Sequence, residues 1–211
     1  LFSPWFFTSS KPLIWMAVLF IIVNIIGVET GRLKGMHDSH KKSYGTVFYP
    51  VTFLILVILC WPQNQVILIL SMLMLALGDA AAALVGENIE QPREFTLAKD
   101  TKSLEGSATM FTVSFLLVTI LLPVLDRLDG MDVSLSTAAW TGLLAALLAT
   151  ALEALSSKGS DNLTAPLGGA FIIWLMLTGT QGTAVQLTIG TALALAVAAA
   201  SFRARFLTAS G

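Results

Sequence analysis

The stretch VILILSMLMLALGDAAAALVG, residues 66–86, decides the fold, and its only charged side chain is that of Asp79. A helix of about 20 apolar residues crosses the hydrocarbon core of a bilayer, so this stretch predicts a transmembrane helix. The whole chain agrees, because 55% of its 211 residues are hydrophobic and 12% are charged, whereas a soluble domain carries about 25% charged residues. The sequence therefore predicts an integral membrane protein.

Further apolar runs bring the number of predicted spans to about seven. They cover residues 12–28, 46–61, 66–86, 106–125, 134–155, 165–179 and 183–202. The predicted fold is an all-α, polytopic transmembrane helix bundle that forms a single integral membrane domain over residues 1–211. The sixth run begins with Pro166-Leu167-Gly168-Gly169, which favours a broken or re-entrant helix at that place.

Basic residues divide the connections between these spans into two groups. One side takes ten of the twelve Lys and Arg residues, and the other takes only Lys11 and Arg127. Cytoplasmic loops carry the excess of Lys and Arg, so we predict that the richer side is cytoplasmic, in a bacterial-type inner membrane. The three longer polar connections, residues 29–45, 87–105 and 156–164, all lie on that side. Long polar connections are typical of functional sites.

Two acidic side chains lie inside predicted spans near their cytoplasmic ends. Asp79 and Glu153 have similar depths, and Asp161 follows just outside the membrane. Carboxylates inside a membrane are costly and mark candidate functional sites, and carboxylate oxygens are the ligands that Mg²⁺ prefers. Two structural interpretations stay open: Asp79 as an acid bonded to a neighbouring helix, and Glu153 as a helix-end acid paired with a lysine such as Lys158.

A second polar group stands where the fourth span begins. Ser103 is a candidate cap for that helix, and the free amides of a helix start beside Lys102 favour phosphate binding. A lysine here also satisfies the positive-inside rule without any ligand. Glu105 could cap amides, hold Lys102 or help bind a metal, and the sequence does not choose between these roles.

Four segments in order resemble the motifs of one enzyme family. They are Lys42-Ser43-Tyr44-Gly45-Thr46, Gly78-Asp79-Ala80-Ala81-Ala82, Lys102-Ser103-Leu104-Glu105-Gly106-Ser107, and Glu153-Ala154-Leu155-Ser156 running to Asp161-Asn162-Leu163-Thr164-Ala165-Pro166. From about Lys42 to Pro166 the chain resembles the dolichol kinase, phytol kinase and CTP-dependent diacylglycerol kinase group, whose bacterial members are often labelled phosphatidate cytidylyltransferases. The early basic and histidine-containing motif of that family is not found, and the chain starts at Leu1. Two interpretations stay open: an N-terminal piece with a helix is missing from this chain, or the protein is an altered or inactive member of the group.

The resemblance implies an enzyme that transfers the terminal phosphoryl group of a nucleotide, typically CTP, to a lipid hydroxyl. The acceptor would be a polyprenol or dolichol, a phytol-like isoprenoid alcohol or diacylglycerol. We expect Asp79, Glu153 and Asp161 to bind Mg²⁺, and Asp79, Lys102 and Glu153 to act in catalysis, because phosphoryl transfer requires positioning and charge neutralisation. Contacts to the nucleotide and its phosphates are expected from Lys42, Lys102, Ser103, Glu105, Lys158 and Asn162.

Two other functions stay open at this point. A phosphatidate cytidylyltransferase would use similar metal and phosphate contacts but attack a different phosphorus of CTP. A membrane transporter would place its acids near the bilayer midplane, whereas Asp79 and Glu153 are displaced toward one face. The net charge of -1 gives no basic field for nucleic acid, so the expected partners are a nucleotide, a lipid alcohol and the membrane.

Overall fold

A computed structural model of the chain describes residues 7–30, 44–97, 100–128 and 132–179. The chain divides into two compact units, Leu1–Ile173 and Trp174–Gly211, and of the second the structure describes only residues 174–179. The described α-helices are α1 (Ser10–Glu29), α2 (Gly45–Cys60), α3 (Gln65–Leu73), α4 (Ala80–Asn88), α5 (Leu104–Leu128), α6 (Leu135–Leu155) and α7 (Asp161–Thr178). The predicted all-α membrane bundle is confirmed as the fold class.

Two elements of the structure were not predicted. A π-helical segment, Met74–Asp79, joins α3 to α4 without a break. A short antiparallel hairpin of β1 (Glu94–Thr96) and β2 (Thr101–Ser103) stands between α4 and α5. Both elements lie next to the polar residues that the sequence singled out.

Four helices of the described chain are long and apolar enough to cross a membrane. They are Ser10–Glu29, Gln65–Asn88, Leu104–Leu125 and Leu135–Leu155, and α2 is apolar but only 16 residues long. The predicted count of about seven spans is therefore not confirmed, and the expected span 183–202 lies outside the described residues. The helix of the sixth predicted span begins at Asp161 rather than at residue 165, because polar residues of the expected loop form its first turn.

Large apolar side chains cover much of the outer surface. Trp15 on α1 is 73% exposed, Leu59 on α2 is 70% exposed and Ile120 on α5 is 58% exposed. Soluble proteins rarely show large contiguous apolar surface, whereas lipid covers such side chains without cost. The exposed apolar residues and the long apolar helices together indicate an integral membrane protein.

Helix α5 lies at the centre of the packing, against α3, the π-helical segment, α4 and α6. Small residues permit this close approach, as in other membrane helix pairs. A Cβ atom on Gly78 would come within 2.7 Å of the Met110 sulfur, and one on Gly142 would come within 3.0 Å of the Phe115 carbonyl oxygen. The tight packing brings the start of α5 close to the helices that carry the two predicted acids.

Pro166 lies inside α7 without breaking it. A proline has no N–H, so the carbonyl group four residues earlier, that of Asn162, lacks its helical partner. The hydroxyl of Thr52, a fully buried residue on α2, donates a hydrogen bond of 2.7 Å to that carbonyl. The broken or re-entrant entry that the sequence favoured is therefore not observed, because a neighbouring helix satisfies the freed carbonyl.

Candidate active site

Asp79 occupies the last position of the π-helical segment. Single π-helical turns inside α-helices are frequent at functional sites. The carboxylate is partly buried and lies close enough to Lys102, Glu153 and Asp161 for their charges to interact. Among the described residues, it has no hydrogen-bond or ion-pair partner, so it is available to a ligand.

The hairpin positions Lys102 and Ser103 at the start of α5. Strand β2 ends at Ser103 and the helix begins at Leu104, whose amide donates a hydrogen bond of 2.9 Å to the carbonyl of Arg93. The Ser103 hydroxyl accepts a hydrogen bond of 3.0 Å from the amide of Gly106, so the predicted helix cap is confirmed. Lys102 pairs with Phe95 across the hairpin, which fixes its backbone beside the helix start.

The ammonium group of Lys102 lies between two carboxylates. Its Nζ atom is 2.5 Å from Oε1 of Glu153 and 3.1 Å from Oδ2 of Asp161. Burial by itself lowers the pKa of Lys102, but the hydrogen bond and charge of Glu153, with those of Asp161, outweigh burial and raise it above its usual 10.5. Lys102 is therefore a fixed positive charge at neutral pH.

Glu153 lies in the last turn of α6, and its side chain is only 8% exposed. Oε1 accepts the hydrogen bond from Lys102, whereas Oε2 is buried and has no hydrogen-bond partner in the described part of the chain. The sequence left open a pair with Lys158, but the structure pairs Glu153 with Lys102. A buried carboxylate oxygen without a partner is costly, and a bound cation or hydroxyl group would satisfy it.

A cavity of about 310 Å³ opens beside these groups. Its lining comes from the end of the π-helical segment, α4, the connection that follows it, the hairpin, the start of α5 and the end of α6: Asp79, Ala82, Ala83, Gly86, Glu87, Pro92, Glu94, Thr101, Lys102, Ser103, Gly106, Ser107 and Glu153. Four of these residues are acidic, and Lys102 is the only basic one among the described residues that line it. The cavity therefore carries excess negative charge.

The backbone of Lys158 joins the three polar connections that the sequence placed on one side. Its amide donates a hydrogen bond of 2.7 Å to Oδ2 of Asp100, and its carbonyl accepts one of 3.0 Å from the amide of Tyr44. Lys158 has a φ angle of 56° and Gly159 one of 84°, a left-handed turn that is costly for lysine. The turn sets the entry to α7 and so the position of Asp161.

The other predicted contact residues lie outside the cavity lining. Glu105 accepts a hydrogen bond of 3.0 Å from the amide of Arg93 and so holds the hairpin to α5. The side-chain amide of Asn162 donates a hydrogen bond of 3.4 Å to the Gly159 carbonyl, and Lys158 is exposed. Lys42 lies outside the described residues.

No group of three or more His, Cys, Asp or Glu side chains in the described ranges is arranged to hold a metal ion. The reason is visible in the geometry, because the Lys102 ammonium stands between Glu153 and Asp161. The predicted Mg²⁺ ligands are thus gathered around a lysine. Their role as metal ligands stays a prediction.

Sequence reasoning assigned no role to several residues of the cavity. The hydroxyl of Ser107 is buried and has no hydrogen-bond partner among the described residues, and it lines the cavity with Glu87 and Glu94. Ser107 could have been predicted, since it ends the motif segment that starts at Lys102. For Glu87 and Glu94 the only signal was their place in a polar connection.

Comparison with known proteins supports the resemblance described above. The chain is 34% identical over 153 residues to a phytol kinase of Synechocystis sp., covering 72% of this chain and 63% of the relative. It is 32% identical over 142 residues to a probable chloroplastic phytol kinase of Triticum aestivum, covering 64% of this chain and 45% of the relative.

The chain thus spans less than two thirds of each of these relatives. No protein-family model matches the sequence, and no solved structure shows significant similarity to it. The names of the two relatives agree with the family that the four motif segments resemble. The chain is therefore a homologue of phytol kinases over most of its length, and this similarity supports a dolichol kinase and phytol kinase type of family.

Proposed function

We propose that this protein is a lipid-alcohol kinase that transfers the terminal phosphoryl group of a nucleotide to an isoprenoid alcohol at the cytoplasmic membrane face. One observation carries the proposal: Asp79, Lys102 and Glu153 come from three separate parts of the chain and line one cavity. The names of the two relatives, both phytol kinases, support a phytol-like acceptor. CTP is proposed as the donor from the family resemblance.

Lys102 is the proposed phosphate-binding group. It lies in the cavity at the N-terminus of α5, where the positive end of the helix dipole also favours an anion. A flexible lysine reaches phosphate oxygens as a point charge. Ser103 caps the helix and keeps this start in place.

The acidic cavity fits a nucleotide that arrives with Mg²⁺. Four acidic residues line it against Lys102, so a bare nucleotide would meet repulsion. Mg²⁺ sites commonly use one or two carboxylates together with substrate phosphates, and Glu153 with its unpartnered Oε2, together with Asp161, offers such a pair. When bound, the ion would neutralise charge on the phosphates.

Asp79 is the proposed acceptor of the proton from the lipid hydroxyl. It lies within the apolar helical stretch Gln65–Asn88, at a depth that an alcohol headgroup reaches while its chain stays in lipid. Its carboxylate has no partner among the described residues, whereas Glu153 is bonded to Lys102. A base in such a position contributes to phosphoryl transfer by orienting the hydroxyl.

The test is a screen of donors and acceptors with the full chain in lipid nanodiscs. Labelled γ-phosphate from CTP or ATP is followed into phytol, a polyprenol or diacylglycerol in the presence of Mg²⁺. We expect transfer to an isoprenoid alcohol, and a fall of at least 100-fold, about 3 kcal/mol in transition-state stabilisation, in Asp79→Asn. The matched control is Asp132→Asn, which changes an exposed acid outside the cavity. Equal rates in the two variants would remove Asp79 from the mechanism.

A further inference from the structure

The ammonium group of Lys102 occupies a position between two helices at which a bound metal cation could also lie. Its ammonium bridges Glu153, in the last turn of α6, and Asp161, the first residue of α7, at 2.5 and 3.1 Å. Asp79 is close enough to interact with the charges of all three. One positive charge therefore occupies the centre of a group of carboxylates.

We propose that Lys102 is an exchangeable occupant of the divalent-cation site, which keeps that site closed until nucleotide and metal arrive together. Its ammonium holds Glu153 and Asp161. With nucleotide and Mg²⁺ bound, Glu153 and Asp161 would hold the metal, and the ammonium of Lys102 would turn to the phosphates. The inference rests on the proposed kinase function and adds an order of binding to it.

The unpartnered oxygen of Glu153 points to a ligand beyond Lys102. Its side chain is 8% exposed and lines the cavity, and its Oε2 has no hydrogen-bond partner in the described ranges. Each N–H group of a lysine donates to one oxygen. A metal ion has several coordination positions and can bind a carboxylate oxygen and phosphate oxygens together. A divalent cation would thus satisfy a group that the ammonium leaves unsatisfied.

Charge explains why the two occupants exclude each other. Mg²⁺ between Glu153 and Asp161 would lie within a few ångströms of the ammonium, and two cations at that distance repel strongly in a partly buried site. Lys102 is 21% exposed along its side chain and has a flexible four-carbon stem, so it can leave. The phosphates of the nucleotide give it a new partner, and metal binding without nucleotide is therefore opposed.

The experiment measures Mn²⁺, as a probe for Mg²⁺, by electron paramagnetic resonance of the full chain in nanodiscs. In the wild type we expect Mn²⁺ to bind at least tenfold more tightly with CTP present, after correction for Mn²⁺ held by free CTP. In Lys102→Met we expect Mn²⁺ alone to bind at least tenfold more tightly than in the wild type. Lys102→Arg, which keeps the positive charge, should show no such gain.

Two further variants assign the binding to the site. Adding Glu153→Gln to Lys102→Met should abolish the gain in Mn²⁺ affinity, and Lys11→Met, an exposed lysine of α1, should behave as the wild type. Mn²⁺ binding by folded Lys102→Met that is no tighter than in the wild type would overturn the inference. If Lys102→Met does not fold, the wild type and Glu153→Gln provide the test. The inference would be overturned if the wild type binds Mn²⁺ without nucleotide and Glu153→Gln removes that binding.

The two proposals fail in different ways. Kinase activity of the wild type with no gain of Mn²⁺ affinity in Lys102→Met would leave the proposed function standing without the exchange. A gain of Mn²⁺ affinity with no transfer to any lipid alcohol would keep the exchangeable cation site and contradict the kinase.

Discussion

The hydroxyl of Thr52 on α2 donates a hydrogen bond of 2.7 Å to the carbonyl of Asn162, the acceptor that Pro166 leaves without an amide partner in α7. The contact joins two residues that are 110 positions apart in the chain. It holds the first turn of α7, which carries Asp161, in a helical conformation. The hydrogen bond that replaces the amide missing at Pro166 thus helps to position Asp161, one partner of Lys102.

Thr52→Val removes this hydroxyl and keeps the shape of the side chain. We expect a loss of roughly 1 to 3 kcal/mol in the free energy of unfolding, because the partly buried Asn162 carbonyl loses the hydroxyl that donates to it. In a Pro166→Ala background the amide of residue 166 is restored, so the same substitution should cost less. Unfolding in mixed micelles, treated as a double-mutant cycle, measures the difference, and equal costs in both backgrounds would show that Thr52 does not compensate for Pro166.

Lys102→Met breaks both ion pairs of the lysine. Removing one partner of a buried ion pair costs about 3 to 5 kcal/mol, and the 21% exposure of Lys102 places the expected loss of unfolding free energy at the lower end, about 3 kcal/mol. Lys102→Arg should lose less, because it keeps a cation beside Glu153. Lys11→Met serves as the control, and a Lys102→Met protein as stable as this control would show that the pairs contribute nothing.

The contribution of Lys102 to the free energy of unfolding should decrease at alkaline pH. Burial lowers its pKa, but Glu153 and Asp161 together raise it above 10.5 in the folded protein. A group with a raised folded pKa contributes fully below its unfolded pKa and loses that contribution as the pH rises through the folded value. The stability difference between wild type and Lys102→Met should thus be constant from about pH 7 to 9, and shrink above about pH 10.5. A difference that already shrinks between pH 7 and 9 would contradict the raised pKa.

Gly106→Ala tests the packing around the cap of α5. A Cβ atom there would come within 2.8 Å of the Ser103 hydroxyl and 3.2 Å of the Ala82 carbonyl oxygen. The backbone of α4 cannot move as a side chain can, so we expect a loss of about 1 to 3 kcal/mol in unfolding free energy and a higher KM for the nucleotide. Gly86→Ala, whose Cβ would meet only the Ser103 hydroxyl at 3.1 Å, is the matched variant and should cost less. An equal cost would exclude the contact with Ala82 as the cause.

The sequence was sufficient to predict that Asp79, Lys102 and Glu153 belong together. Acids inside apolar helices are costly and mark candidate sites, and a lysine at a helix start lies beside free amides that favour phosphate. The ion pair between Lys102 and Glu153 was not predictable, since the sequence places both Lys158 and Lys102 on the same side of the membrane as the end of the helix that carries Glu153. It depends on the hairpin, whose strands of three residues are too short to show an alternating pattern.

The π-helical geometry next to Asp79 was not predictable from the sequence either. One π-helical turn, Met74–Asp79, adds no change of composition to an apolar run. The continuity of α7 through Pro166 depends on Thr52 in another helix, and local sequence rules favour a break at such a proline. Tertiary contacts therefore determine the features that the sequence alone predicted wrongly or did not predict.

We propose that the γ-phosphoryl group of a nucleotide moves to a lipid alcohol at this cavity. The most direct measurement follows two CTP preparations, one labelled in the α-phosphate and one in the γ-phosphate, with phytol and the full chain in nanodiscs. We predict that only the γ-label enters the lipid and that CDP is released, and that Asp79→Asn but not Asp132→Asn abolishes the transfer. Entry of the α-label into a phospholipid with release of pyrophosphate would instead identify a cytidylyltransferase, and no label in any lipid would contradict the account.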